Sequence, residues 1–266
     1  MEINLVDKNF EGRDLTIHPS CFKWNINNIP VSNHIFFTDY CLTDIVNCKT
    51  SQKKVAWLLE PKAILPESYS YIENNYYLFD YVLTFDRELL SKINNGLYTP
   101  YGTYWVDNNI PYNKNKLVSI IASFKNNTIG HKIRHHIINT IVGFDVYGNH
   151  PNYKRIQSKN EALDNYYFSI TVENSIQDSY WTEKLLDCFV TKTIPIYWGT
   201  RDVSNFFNED GILFFNKASE LKNILSKLTP ELYKQKESAI ENNYKLSLQY
   251  KDPENYIFKN YNYLIS

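Results

Sequence analysis

The sequence predicts an α/β protein of two domains with parallel sheets, and three observations predict it. Short apolar runs rich in β-branched and aromatic residues recur along the chain, as strands require. Between several of them lie stretches with apolar residues at helical spacing, and strands alternating with helices fold as parallel α/β sheets. The polar, Asn-rich segment at 106–116, VDNNIPYNKNK, contains Pro111 and separates two blocks that each carry their own strand series.

The expected strands are HIFFT at 34–38, KVAWLL at 54–59, YVLTF at 81–85, LVSIIAS at 117–123, FDVYG at 144–148, YYFSITV at 166–172 and TIPIYW at 193–198. Helical stripes run from His131 to Val142 through Ile133, Ile137, Ile138 and Ile141, and from Thr182 to Val190 through Leu185, Leu186 and Phe189. A third covers Leu221 to Leu228, and a long polar helical tail is expected from Glu231 to Gln249. The domains are placed at 1–111 and 112–266, with the segment from Pro253 to Ile265 expected to pack back on the first.

A chain of 266 residues with 43% hydrophobic content can fill two cores. The 28 basic and 29 acidic residues balance to a formal charge of −1, which disfavours a nucleic-acid partner. Cys21, Cys41, Cys48 and Cys188 form no CxxC pair and no metal-ligand spacing, so reduced thiols are expected. The first residues, MEINLVDKNF, carry charges where a signal peptide needs its apolar core, and no run reaches membrane-span length. The expectation is a cytoplasmic protein without a membrane span. The 22 tyrosines suit sugar surfaces, yet heavy use of Tyr, Asn, Lys and Ile reads more simply as compositional bias.

The most informative stretch is FSITVENSIQDSYWTEKLLDCFVTKTIPIYWG, Phe168 to Gly199. It reads as a buried strand ending in Glu173, Asn174 and Ser175, a polar loop, a helix opening at Thr182, Glu183 and Lys184, and a second strand. In open α/β sheets ligands sit at the carboxyl ends of strands, where a helix N-terminus offers free N–H groups to a phosphate. Lys184 adds a mobile charge, and Glu183 suits ribose hydroxyls. Each residue also has an ordinary reading: acidic residues favour a first helical turn, and Asn174 could satisfy backbone groups at a strand end.

Together these residues resemble the signature of glycosyltransferase family 10, the α-1,3/4-fucosyltransferases. Glu173-Asn174-Ser175, Tyr180-Trp181-Thr182-Glu183-Lys184 and Pro195-Ile196-Tyr197-Trp198-Gly199 stand in the family's order and spacing. Val172 replaces the usual Phe, and Trp181 is bulkier than the common Val or Ile. Upstream, Lys132-Ile133-Arg134 and Asp145-Val146-Tyr147-Gly148 are similar to the family's basic and Asp-Val-(Phe/Tyr)-Gly segments. Phe79 to Thr84 with Pro100-Tyr101-Gly102, and Glu60 before Pro61, resemble its amino-terminal motifs, the last one residue tighter.

The resemblance implies a GT-B-like fold, two Rossmann-like domains facing a cleft, with the acceptor handled by the first and the donor by the second. It implies Glu60 as catalytic base and Arg134, Asn174, Tyr180, Glu183 and Lys184 as donor-binding residues. Lys132, Glu173, Ser175 and Thr182 are secondary candidates for the donor site. A carboxylate closing an apolar strand is partly desolvated, and its pKa is expected to rise toward one useful in a base. No Asp-x-Asp occurs, no metal ligands are assigned, and no cofactor is required beyond the nucleotide-sugar donor, expected to be GDP-fucose. The expected function is inverting transfer of L-fucose to a hydroxyl of an oligosaccharide or glycoconjugate acceptor. Two alternatives are transfer from another nucleotide sugar and a catalytically silent glycan- or nucleotide-binding relative.

Overall fold

The computed structural model describes residues 1–8, 21–28, 31–49, 51–108 and 113–265. It divides into two compact units: Met1–Thr103 with Gln177–Tyr180 and Tyr250–Ser266, and Tyr104–Ile176 with Trp181–Gln249. The division falls after Thr103; the boundary expected at 111/112 lies outside the described residues.

The first unit carries β1 (Glu2–Val6), β2 (Lys23–Ile26), β3 (His34–Thr38), β4 (Lys53–Trp57), β5 (Tyr81–Thr84) and β6 (Gly96–Tyr98). All neighbours pair in parallel, in the order β2-β1-β3-β4-β5-β6. Helices α1 (Pro66–Asn75) and α2 (Arg87–Lys92) flank β5 in sequence. Successive residues of a strand face opposite sides, so both faces here are filled. Phe36, Val55 and Trp57 enter one core with Ile3 and Leu5, while Ile35, Phe37, Ala56 and Leu58 enter another with Tyr69 and Ile72.

The second unit follows the same plan with β7 (Lys116–Ile121), α3 (Ile129–Thr140), β8 (Asp145–Tyr147), α4 (Asn160–Leu163), β9 (Tyr166–Val172), α5 (Glu183–Val190), β10 (Ile194–Trp198) and β11 (Leu213–Phe214). Its order is β11-β10-β9-β7-β8, again all parallel. Phe168, Ile170 and Val172 of β9 anchor one core beside Val118, Ile120, Ile194 and Ile196. The alternate face of β9 is polar yet buried: Ser169 pairs with Ser119 at 3.1 Å, and the Thr171 hydroxyl meets Cys188 Sγ at 3.3 Å.

After α6 (Ala218–Leu225), the tail expected as one helix is two, α7 (Pro230–Gln235) and α8 (Glu237–Ser247). They meet at Lys236, whose φ of −99° and ψ of 8° leave the helical range. The chain then returns to the first unit with α9 (Pro253–Asn260), placing Ile257, Leu264 and Ile265 in the core that holds Ile3 and Leu5. The Trp24 indole N–H donates to Glu254 Oε1 at 2.9 Å and fixes that return. None of the four cysteines is in a disulfide, and no described helix is long and apolar enough to cross a membrane.

Candidate functional site

In the second unit the carboxyl end of β9 meets the start of α3. Thr128 caps α3 by accepting from the His131 N–H at 3.2 Å, while the His131 ring accepts from the Thr128 N–H at 3.3 Å. Burial first, then the nearby Arg134, hold the His131 imidazole down to about 4. The helix approaches β9 so closely that the Gly130 N–H donates to the Asn174 carbonyl at 3.0 Å. One turn on, Arg134 is 7% exposed, and its Nη2 donates to Asn174 Oδ1 at 2.8 Å. Arg134 and Asn174 are thereby brought together by a contact that only glycine at 130 permits.

The second half of the site is the start of α5. Glu173, fully buried, accepts the Thr182 N–H on Oε1 at 3.0 Å and the Thr182 hydroxyl on Oε2 at 2.7 Å. Thr182 in turn is the N-cap of α5, its hydroxyl accepting from the Lys184 N–H at 3.3 Å. A strand-end carboxylate therefore anchors a helix start nine residues later. The Lys184 ammonium lies 3.0 Å from the Thr182 hydroxyl, 3.1 Å from Glu183 Oε1 and 3.6 Å from Glu173 Oε2.

Electrostatics follow from burial and these pairings. Burial pushes the Glu173 carboxyl up, and Lys184 offsets only part of it. For Glu183, burial also works against the charge, but Lys184 and Lys159 outweigh it and hold the carboxyl well below the usual range. Burial opposes the Lys184 charge as well, yet Glu183 and Glu173 raise its pKa above the ordinary value. The site thus holds cations, Arg134 and Lys184, beside the N-terminus of α5, suited to a diphosphate.

Among the secondary candidates, Lys132 is exposed on α3, and the buried Ser175 hydroxyl has no hydrogen-bond partner among the described residues. Tyr180 lies in the first unit, where its buried ring stands 5.3 Å from Phe85 and 6.2 Å from Tyr101.

Glu60 also belongs to the first unit, three residues beyond β4, and is partly exposed. Its peptide is clamped at both ends. Asp39 Oδ1 accepts the Leu59 N–H at 2.8 Å, Asp39 Oδ2 accepts the Glu60 N–H at 3.3 Å, and the Tyr69 hydroxyl donates to the Glu60 carbonyl at 3.0 Å. Asp39 is 2% exposed and adopts a positive φ of 25°, uncommon outside glycine.

Asp39, Gly130 and Lys159 escape the sequence reading. Asp39 and Lys159 act through residues distant in sequence, and neither lies in a motif. Gly130 did carry a signal: a glycine in the first turn of a helix is disfavoured unless something approaches closely. Among the described residues no group of three or more His, Cys, Asp or Glu side chains is arranged to hold a metal ion.

Residues 111–242 match the profile of "Glycosyltransferase family 10 (fucosyltransferase) C-term". Residues 111–242 are a glycosyltransferase family 10 domain. This family domain contains Arg134, Glu173, Asn174, Glu183 and Lys184, and so the whole cluster just described. The α-(1,3)-fucosyltransferase FucT of Helicobacter pylori is 43% identical over 53 residues, a match spanning 20% of this chain and 11% of that relative. Two solved α1,3-fucosyltransferase structures, the second with GDP-fucose, have the same fold, with TM-scores of 0.58 and 0.54 at 20% and 19% identity. Those alignments cover 91% of this chain and 80% and 81% of the solved ones. An α-glucosyltransferase solved with UDP and a 13-mer DNA matches at TM-score 0.62 and 11% identity, covering 100% of this chain and 99% of its own. The two parallel α/β sheets are thus those of a GT-B fold.

Proposed function

We propose that this protein is an inverting fucosyltransferase of the α-1,3 type. It moves L-fucose from GDP-fucose to a hydroxyl of a glycan acceptor. The observation that carries the reading is the cluster of Arg134, Asn174, Glu183 and Lys184 at the β9 end and the α5 N-terminus, inside the matched family domain. In support, a solved α1,3-fucosyltransferase of this fold was captured with GDP-fucose.

In the proposed step Glu60 accepts the proton of the acceptor hydroxyl while its oxygen bonds to the anomeric carbon. The bond from that carbon to the β-phosphate oxygen breaks, and GDP departs with the electron pair. Arg134, Lys184 and the N–H groups of α5 stabilise the charge that develops on the diphosphate, in the role a divalent ion has in other transferases. Asn174 holds the Arg134 guanidinium in place, and Glu183 accepts from ribose hydroxyls.

None of these contacts reads the nucleobase. Transfer from a UDP-sugar is therefore the second reading, since the α-glucosyltransferase of similar fold was solved with UDP. A thermal-shift panel of GDP, UDP, GDP-fucose and UDP-glucose separates them. Stabilisation by GDP and GDP-fucose alone, with turnover of GDP-fucose on a glycan acceptor, is the expected result. Stabilisation by the uridine nucleotides alone moves the assignment to the second reading, and binding without turnover of any donor favours a silent relative.

A further inference from the structure

Glu183 and Asp187 stand one turn apart on α5, 6% and 1% exposed. Like charges at this i,i+4 spacing repel. Lys159, the residue before α4, answers both: its Nζ lies 2.7 Å from Asp187 Oδ2 and 3.5 Å from Glu183 Oε1. That ammonium is held on another side by the Trp105 indole, whose ring centroid is 4.0 Å away. Asp187 holds Trp105 too, because its Oδ1 accepts the Trp105 backbone N–H at 2.7 Å. One buried carboxylate therefore anchors the amine with one oxygen and the residue beneath the amine with the other.

The consequence falls on Glu183. Lys184 and Lys159 both reach its carboxylate, at 3.1 and 3.5 Å from Oε1. A carboxylate gripped by two cations, one of them itself anchored, is held in one orientation.

We propose that Lys159, anchored on Asp187 and Trp105, is a positioning residue for the nucleotide: it orients the Glu183 carboxylate so that it accepts from the ribose hydroxyls. This rests on the reading of Glu183 as a donor contact. A purely structural pair would tie residue 159 to α5 without affecting which nucleotide binds.

Calorimetric titration with GDP and with 2′,3′-dideoxy-GDP, which lacks both hydroxyls, tests the role. The unaltered chain prefers GDP by about tenfold or more, as loss of a hydrogen bond to a charged group implies. Glu183→Gln removes most of that preference. Lys159→Met removes it with Glu183 still in place, whereas Lys159→Arg keeps it. Trp105→Ala leaves every charge intact and lowers the preference partway, which decides the matter if Lys159→Met does not fold. If Glu183→Gln keeps the preference, the donor reading itself fails. Preference lost in Glu183→Gln but kept in Lys159→Met, or kept in Trp105→Ala where Lys159→Met does not fold, overturns the role of Lys159. So does equal weakening of both nucleotides in Lys159→Met.

Discussion

Gly130 donates its N–H to the carbonyl of Asn174 at 3.0 Å, and a Cβ at position 130 would lie 1.7 Å from the carbonyl oxygen of Glu173. The first turn of α3 and the end of β9 therefore approach backbone to backbone. Gly130→Ala forces them apart, and both the Arg134 to Asn174 hydrogen bond and the Thr182 anchor on Glu173 depend on that strand end. Denaturant unfolding is expected to show a loss of about 3 kcal/mol or more, at the upper end of overpacking costs. A loss under about 1 kcal/mol would mean the strand end yields freely.

The capping of α3 makes stability fall on the acid side. The His131 imidazole is held down to about 4 against an ordinary 6.5, by burial first and then by Arg134, Lys125, Lys184 and His135. The unfolded chain thus takes up this proton first, and stability is lost as pH falls from 6.5 through about 4. Protonation also removes the ring nitrogen that accepts from the Thr128 N–H. Thermal midpoints of the unaltered chain and of His131→Gln, measured between pH 7 and pH 4, should converge as pH falls. A constant difference would assign the acid sensitivity to other groups.

Arg134→Ala and Lys184→Ala should each weaken GDP binding by about 10-fold to 100-fold, the range for a lost hydrogen bond to a charged group. Far-UV circular dichroism should stay unchanged in Lys184→Ala, whose side chain is partly exposed. Unchanged GDP affinity in both variants, measured by calorimetry, would remove the diphosphate from this part of the second unit.

Glu60→Gln should lower transfer by about 10²–10⁴-fold while leaving GDP affinity intact, as loss of a general base does. The clamp on its peptide by Asp39 and Tyr69 does not use the Glu60 carboxylate, so folding should be preserved. Near-normal turnover would place the base elsewhere, with Glu67 and Asp86 next in line. Loss of stability and GDP binding together would make Glu60 a structural residue.

Local sequence alone determined much of this protein. Short apolar runs such as HIFFT and YYFSITV became β3 and β9, because a strand buried on both faces must carry apolar or small polar side chains at nearly every position. The start of α5 was equally legible, since Thr182 is a strong N-cap and sits directly before the helix. Strands β1, β2, β6 and β11 were not anticipated: EINLV and KWNI interrupt their apolar residues with polar ones, and GLY and LF are three and two residues long. The motif residues Arg134, Asn174, Glu183 and Lys184 could be named from their order in the chain. What holds them could not.

Tertiary structure decided that Glu173 is a buried anchor for Thr182, that Tyr180 packs among Phe85 and Tyr101, and that Asp39 grips the peptide of Glu60. It also decided that Lys159 reaches both Glu183 and Asp187. Each is a pairing between segments separated by 9 to 95 residues, and a side chain's partner at such separations is set by the register of the sheets and the tilt of helices against them. Local propensity selects the element; burial and unsatisfied polar groups, which exist only once the elements have packed, select the partner.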